Sequence, residues 1–145
     1  MVFCKHPLDE KNETIEFRII TLVPINGKSN YFIGIADRSK YRKEQLISTY
    51  WKDSPSSFYW DVWNKKLVKI DENGNLSGSA SNYGCECYSS TEMQIGMKYN
   101  SKKQTVSYTK NGIDQGVAFC NVPAGFFPVI DLWFESGHVE IVSNE

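Results

Sequence analysis

Residues Thr91–Val142 read TEMQIGMKYNSKKQTVSYTKNGIDQGVAFCNVPAGFFPVIDLWFESGHVEIV, and this stretch decides the fold. At its centre lies the dipeptide Asn111-Gly112, which favours a two-residue turn with positive φ at both positions. Asn tolerates the left-handed region, and glycine has no Cβ to clash there. Val106 and Tyr108 alternate with polar residues before the turn. After the turn, Gly116–Phe119 forms the second strand of the pattern. The pattern predicts a β-hairpin whose register is set by the turn.

The segments on either side of the hairpin have the period of two that β-strands require. One face of the strand before it carries Met93, Ile95, Met97 and Tyr99. Near the end of the chain, Val139 and Ile141 alternate with polar or charged residues. Between them, Phe127–Phe134 is more continuously apolar, as expected for a strand that is covered on both faces. The apolar faces of these strands must be buried against a second sheet.

The N-terminal half has the same strand patterns. Alternating apolar residues that predict a half-buried strand are Ile15, Phe17 and Ile19. Tyr31–Ala36 predicts the next strand, and Gly34 within it would let a neighbouring backbone or ring approach closely. Phe58 and Trp60 alternate with more polar residues and are expected in the core. Ser77–Ser81 is small and polar, which predicts a loop.

The composition bounds the class of protein. A chain of 145 residues is expected to form a single domain with a sizeable core. The net charge of −1 gives no attraction to nucleic acid or to anionic membranes, so neither is an expected partner. No apolar core of a secretory signal appears at the start, and no apolar run is long enough to span a bilayer. We therefore expect reduced thiols and an intracellular protein, cytoplasmic or nuclear.

Few residues here suit catalysis or metal binding. The side chains that could in principle form a zinc site are Cys85, Cys87, Cys120 and either His6 or His138. Their spacing does not match known zinc modules, so we expect no metal and no cofactor. His138 has no Gly-x-Ser-x-Gly elbow to accompany it, and no phosphate-binding glycine loop is present. The sequence therefore predicts a protein that is not an enzyme.

A family resemblance runs through these segments. In chain order, IGMKYN, TVSYTKNG, GVAF, FPVIDLW and VEIV resemble the C-terminal half of a SPRY domain. The pair IEFRI and YFIGIA resembles the opening strands of that family, so the resemblance reaches from Ile15 to Val142. It implies an all-β fold, a bent antiparallel β-sandwich of the concanavalin-like type. Residues 1–14 would be a lead-in or PRY-like edge segment, and residues 15–145 a monomeric SPRY domain.

Binding residues of a sandwich are expected on the loops at its ends. Trp, Tyr and Arg dominate binding hot spots, so these residue types and their neighbours in predicted loops or strand ends are the candidates. The candidate partner-binding residues are Arg38, Tyr41, Arg42, Tyr50, Trp51, Trp63, Leu132, Trp133 and Phe134. The alternative for the large rings, Trp51, Trp133 and Phe134 above all, is packing in the core.

The resemblance supports part of this set. In SPRY proteins of the SOCS-box group, a Val-Trp pair before the last strand lines a peptide pocket, and Leu132-Trp133 resembles that pair. Asp37–Ser39 occupies the place of the loop that forms the opposite wall. The resemblance implies a non-enzymatic module that binds a short peptide or loop of a partner protein through loops at one end or face of the sandwich. It would serve as a ubiquitin-ligase adaptor or a signalling scaffold.

Two other classes of function remain open from the sequence. A carbohydrate-binding lectin would share the sandwich architecture, and would require surface Asp or Asn with a metal, or an exposed aromatic platform. Calcium-dependent glycan binding would favour it. A hydrolase would require an activity that depends on His138.

Overall fold

The structure, a computed structural model, describes residues 2–21, 30–42, 54–84, 92–133 and 137–143. These ranges contain eleven β-strands and one turn of 3-10 helix at Arg38–Lys40. The strands are β1 (Val2–Phe3), β2 (Thr14–Thr21), β3 (Asn30–Ala36), β4 (Ser57–Asp61), β5 (Lys66–Ile70), β6 (Leu76–Ala80), β7 (Glu92–Asn100), β8 (Thr105–Lys110), β9 (Ile113–Phe119), β10 (Phe127–Trp133) and β11 (Gly137–Ser143). Within the described ranges, no helix has the length and apolar character needed to cross a bilayer.

The strands form two sheets. The first sheet has six strands in the order β1-β10-β3-β4-β5-β6, and the second has five in the order β11-β2-β7-β8-β9. Every neighbouring pair is antiparallel. The predicted all-β antiparallel sandwich is confirmed, and so is the strand at Phe127, which ends at Trp133.

The main core lies between the two sheets. Both sheets contribute alternate residues, as the period of two requires. Trp60, from the first sheet, is fully buried with its ring centroid 5.0 Å from that of Tyr108 in the second. The Tyr108 hydroxyl donates a hydrogen bond of 2.8 Å to the Ile33 carbonyl oxygen, so this large ring is buried without leaving its hydroxyl unpaired. Phe58 is also buried, which confirms the predicted core positions.

The Asn-Gly hairpin has the predicted geometry. Asn111 has φ 51° and Gly112 has φ 82°, which are the positive values of the expected two-residue turn. The Asn111 side-chain oxygen accepts a hydrogen bond of 3.0 Å from the Gln94 N–H, which ties the turn to β7. β9 begins at Ile113, directly after the turn and earlier than the Gly116 start expected from the sequence.

Two expectations about strands were wrong. The stretch from Ser77 was expected to be a loop, but Leu76–Ala80 pairs with β5 as the edge strand β6. Every side chain of β6 is exposed, so the strand carries no alternation that a sequence pattern could reveal. Ile141 was expected on a buried face, but 51% of it is exposed. It lies on β11, which is an edge strand whose register shifts at that residue.

A second apolar cluster covers the outer face of the first sheet, the face turned away from the second sheet. Its members are Phe32, Ala36, Tyr41, Tyr59, Val68, Ile70 and Val129, with Phe3 packed against them. Because neighbouring residues of a strand point to opposite faces, Phe32 lies here while Ile33 lies in the main core. β3 and β10 are apolar almost throughout because the main core covers one of their faces and this cluster covers the other.

The Tyr83 side chain links the two sheets where the β6 edge of the first lies near β8 and β9 of the second. It follows β6, and its hydroxyl donates a hydrogen bond of 2.7 Å to the Gly116 carbonyl oxygen of β9. The same hydroxyl accepts one of 3.3 Å from the Tyr108 N–H of β8. The register between β8 and β9 shifts on both sides of Ser107, and Tyr83 supplies the hydrogen bonds at this irregular part of the ladder.

We expect Tyr83→Phe to lower the free energy of unfolding by about 1–3 kcal/mol, because the buried Tyr108 N–H loses its acceptor. Urea unfolding of both proteins measures the difference. Ser107→Ala is the control, since it alters β8 at the same irregularity without removing the hydroxyl bridge. A loss under Ser107→Ala equal to that under Tyr83→Phe would contradict the role given to the bridge.

The same side chain makes stability depend on alkaline pH. Burial raises the pKa of Tyr83 from 10.0 to about 12, and the hydrogen bond from the Tyr108 backbone lowers it in part. Between these values the unfolded chain has released the proton and the folded chain has not, so stability falls as the pH rises. We expect the free energy of unfolding, measured with urea at a series of pH values, to fall as the pH rises from about 10 to about 12. In Tyr83→Phe this free energy should fall less steeply with pH. An unchanged slope would contradict the prediction.

Candidate functional site

The antiparallel pairing of β3 with β10 defines two ends of the sandwich. Ala36 pairs with Phe127 at one end, which we call the Arg38 end. Asn30 pairs with Trp133 at the other, which we call the Trp133 end. Strands of this length hold the two ends roughly 20 Å apart. The loop after β3 and the last residues of β10, which the resemblance placed on facing walls of one pocket, therefore lie at opposite ends of the sheet.

The candidate residues divide between these ends. Arg38, Tyr41 and Arg42 follow β3 at the Arg38 end. At the Trp133 end, Leu132 and Trp133 pair through their backbones with β3. Trp63 is at that end too, in the turn after β4, and its ring packs partly buried against the main core. Three candidates lie outside the described residues, namely Tyr50, Trp51 and Phe134.

The turn that presents Arg38 is held by its own sequence. Asp37 precedes the 3-10 turn, and its carboxylate accepts hydrogen bonds from the Ser39 N–H at 3.1 Å and the Ser39 hydroxyl at 2.6 Å. Aspartate is a favoured residue at this position because its side chain satisfies a free N–H of the first turn. The Asp37 N–H donates to the Ser56 carbonyl oxygen at 2.9 Å, which fastens the turn to the start of β4.

The Arg38 guanidinium lies over two aromatic rings. Its central carbon lies 5.8 Å from the Phe3 ring centroid and 5.5 Å from that of Phe127. Both distances are within the range of a cation–π contact. The side chain is exposed, and it makes no ion pair with any carboxylate of the described residues. The rings therefore hold an exposed cation that no carboxylate of the described residues neutralises.

Tyr41 lies beneath this contact. Its ring packs edge-on against Phe3, with the centroids 5.1 Å apart, and only 8% of the residue is exposed. Burial raises the pKa of the Tyr41 phenol, and the neighbouring Ser54 hydroxyl partly offsets this effect. Tyr59 donates a hydrogen bond of 3.1 Å to the same hydroxyl. Tyr41 thus supports the Phe3 ring from below and leaves little of its own ring for a partner to contact.

We call Arg38, Lys40, Arg42, Phe3 and Phe127 the Arg38 surface. Its three cationic side chains are all exposed. Lys40 lies 3.9 Å from a Glu72 carboxylate oxygen, an exposed pair worth about 0–1 kcal/mol. The surface combines positive charge with two partly buried aromatic rings, and this combination suits a carboxylate or a carbonyl-rich segment of chain.

Sequence reasoning missed Phe3 and Phe127. Phe3 was assigned to a lead-in or PRY-like edge segment, and Phe127 to a strand covered on both faces. Only the pairing of β1 and β3 with β10 brings both rings next to Arg38. An apolar residue at position 3 of a charged N-terminal segment was the one available signal, and it does not indicate which strand it joins.

The chemistry of the other described residues is sparse. No group of three or more His, Cys, Asp or Glu in the described ranges could hold a metal ion. Burial raises the pKa of the Cys4 thiol to about 12, so this cysteine is a poor nucleophile. Cys85 and Cys87, the core of the hypothetical zinc site, lie outside the described ranges.

Comparisons with known proteins agree with this architecture. The model of the SPRY domain family matches residues 16–144. No curated protein matches the chain. The SPRY domain of human HERC1 has a similar structure, with a TM-score of 0.60 and 13% identity over 96% of this chain and 79% of that one.

Two carbohydrate-binding folds are also similar. The metal-free carbohydrate recognition domain of Emp46p has a TM-score of 0.59 and 10% identity, over 97% of this chain and 73% of that one. Sheep galectin-11 in complex with glycerol has a TM-score of 0.51 and 7% identity, over 92% and 94% of the two chains. At such low identity, these similarities show the shared sandwich fold alone.

The family match carries more information than the shared fold. It covers the segments from β2 to β11 in one continuous range, which confirms the resemblance of Ile15–Val142. SPRY domains are generally non-catalytic domains that mediate protein interactions. The strand order, the Asn-Gly hairpin and the extent of the match lead to one conclusion, that this chain belongs to the SPRY domain family.

Proposed function

We propose that this chain is a non-enzymatic protein-interaction module that binds a short peptide or loop of a partner through the Arg38 surface. One observation carries the proposal. An exposed guanidinium lies over two aromatic rings, and no carboxylate of the described residues pairs with it. The general role of SPRY domains as interaction modules supports the same function.

The contact with the rings explains why this arginine suits recognition. The central carbon of the Arg38 guanidinium lies over the rings of Phe3 and Phe127, and neither ring has a polar atom that could accept a hydrogen bond from its five N–H donors. These donors therefore stay available for a carboxylate or backbone carbonyls of a bound segment. Because the rings and the capped turn already order the side chain, binding loses less conformational entropy than it would with a free arginine.

The cellular role is part of the proposal. An intracellular substrate adaptor of a ubiquitin ligase, or a scaffold in a signalling complex, would use such a surface to select a partner. The acidic or carbonyl-rich character of the bound segment follows from the charge of Arg38, Lys40 and Arg42. Fold analogy alone does not identify the partner, because one fold supports many functions.

The test is to substitute Arg38 and measure partner binding. We expect Arg38→Ala to weaken binding of a purified partner segment by about 2 kcal/mol, or roughly 30-fold, measured by titration calorimetry. Arg38→Lys should also weaken binding, because an ammonium lacks the planar face and the paired donors. Unfolding by urea should change by no more than about 0.5 kcal/mol, since the side chain is exposed.

Lys98→Ala is the matched control, since Lys98 is an exposed cation on β7 in the other sheet. Partners are first identified by crosslinking in cells with the wild-type chain and then compared among the variants. Equal binding by wild type and Arg38→Ala would reject this surface, and equal losses for Arg38→Ala and Lys98→Ala would show a nonspecific charge effect.

Carbohydrate binding is the second candidate, because the Emp46p carbohydrate recognition domain shares the fold. A glycan array distinguishes the two functions. Calcium-dependent binding of a glycan that Arg38→Ala leaves intact would favour the lectin and reject the peptide-binding proposal.

A further inference from the structure

The four outer edges of the two sheets differ in how they are protected. An unprotected edge strand offers free backbone N–H and C=O groups to another strand, so natural proteins block edges with charges, bulges or very short strands. β1 has only two residues. β9 contains Asp114 and two register shifts, and β11 contains Glu140, which pairs with Arg18 at 3.3 Å, and one register shift.

β6 has the least protection of the four edges. All five of its residues are exposed, and 66% of Leu76 is exposed. The sequence from Asn73 to Gly84 contains no charged residue. β6 is the last strand of its sheet, and no strand of the described ranges pairs with its outer side. Its one irregularity is a register shift between Lys69 and Ile70, which pair with Gly78 and Leu76 and leave Ser77 without a directly opposite residue on β5.

The sequence of β6 is close to self-complementary. It reads Leu-Ser-Gly-Ser-Ala, so an antiparallel pair of two such strands centred on Gly78 places Ser77 opposite Ser79. Leu76 would then lie opposite Ala80, which covers part of its exposed side chain. Serines that face each other across strands can hydrogen-bond, and no like charges meet. A two-fold symmetric interface requires this kind of self-complementary patch.

We propose that β6 pairs with β6 of a second copy of this chain, antiparallel about Gly78, so that two six-stranded sheets join into one continuous sheet. The short strand makes this a weak, concentration-dependent association. The sequence led to the expectation of a monomeric domain, and this edge is the structural reason to expect self-association instead. The proposal does not depend on binding at the Arg38 surface.

Gly78 allows a test that spares the fold. A Cβ at this position would lie 3.8 Å from the Lys69 Cβ, an ordinary contact, and the residue does not have positive φ. Lys69 is its partner on β5. Gly78→Glu would therefore place a carboxylate beside Lys69 within one chain. In the proposed dimer, it would place two carboxylates opposite each other across the two-fold axis.

Sedimentation velocity over a wide range of concentration measures the association. We expect the wild-type mass to rise from 16.6 kDa towards twice that value. Gly78→Glu should weaken self-association by about tenfold or more, because like charges directly opposite each other are unfavourable. Gly78→Thr, which is neutral and suits a strand, should retain it. Thermal melts of each variant show whether it has folded.

Charge complementation makes the test specific for self-pairing. Gly78→Lys should also self-associate poorly, whereas an equal mixture of Gly78→Glu and Gly78→Lys should associate at least as well as wild type. A wild-type chain that stays at 16.6 kDa throughout would overturn the proposal. So would equal association of Gly78→Glu and Gly78→Thr, or a mixture that stays monomeric, since both outcomes place the contact elsewhere.

A crosslink provides the positive test. Gly78→Cys is made with Cys120→Ser, because Cys120 is exposed and would compete for oxidation. Residues directly opposite each other in an antiparallel pair are close enough for a disulfide. We expect oxidation to yield a dimer whose Gly78→Cys positions are joined, as mapped by mass spectrometry. If this crosslink does not form at concentrations where the protein is dimeric, the two-fold axis of the strand pair does not lie at Gly78, and the proposed pairing is rejected.

Discussion

Gly34→Ala is expected to destabilise the fold by about 3 kcal/mol or more, the upper range for overpacking a closed site. A Cβ on Gly34 would overlap the carbonyl oxygen of Phe58 and lie 2.8 Å from Cδ1 of Tyr59. The oxygen belongs to the backbone of β4, so it cannot move aside as a flexible side chain would. Relief requires that β3 and β4 separate, which disrupts the ladder at the centre of the first sheet.

Urea unfolding with linear extrapolation measures this loss. Gly78→Ala is the matched control, because it is the same substitution in an edge strand of the same sheet, where only the Lys69 Cβ lies within 4 Å. We expect this control to change stability by less than about 1 kcal/mol, with a small gain from the reduced entropy of the unfolded chain. Equal effects at the two sites would contradict the close approach of β4 to Gly34.

Trp60→Ala is expected to lower the free energy of unfolding by about 3–5 kcal/mol. The indole is fully buried between the sheets, where its ring lies 5.0 Å from that of Tyr108 and 5.4 Å from that of Tyr83. Gly84 packs directly against it, since a Cβ there would lie 2.5 Å from Cζ2 of the indole. Removal of the ring leaves a cavity that these rigid aromatic neighbours cannot fill.

Trp60→Phe separates the ring volume from the indole N–H. The buried Nε1 has no hydrogen-bond partner among the described atoms, so its removal offsets part of the lost packing. We expect a smaller loss than for Trp60→Ala. Trp63→Ala is the second comparison, because this ring is only partly buried, and it should cost less than Trp60→Ala. A larger loss at Trp63 would contradict the assignment of Trp60 as the central core residue.

Patterns of local sequence were sufficient for much of the fold. Alternation at Met93, Ile95, Met97 and Tyr99 correctly predicted their burial, because a strand with one apolar face must turn that face inward. The Asn-Gly pair predicted the hairpin for a reason equally local, the positive φ that these two residues tolerate. Gly34 was correctly expected to mark a close approach, although the sequence did not indicate which atoms would approach it.

The candidate site could be predicted only in part. Arg38 was selected by residue type and by its place after a strand, and both are local properties. Phe3 and Phe127, over which it lies, are distant in sequence and meet it only because β1 and β3 pair with the same strand. The expected joint site of Arg38 with Trp133 depended on how β3 and β10 run past each other, and their register places these residues at opposite ends.

The sequence by itself determined that the segments with alternating or continuous apolar residues are strands, and where the tight turn lies. These depend on interactions between residues a few positions apart, which period and residue type record directly. Only the tertiary structure decided the order of the strands, the separation of the two ends, the open edge at β6 and the rings beneath Arg38. Each of these depends on which distant backbones pair, and an exposed strand such as β6 pairs without leaving any apolar pattern in its side chains.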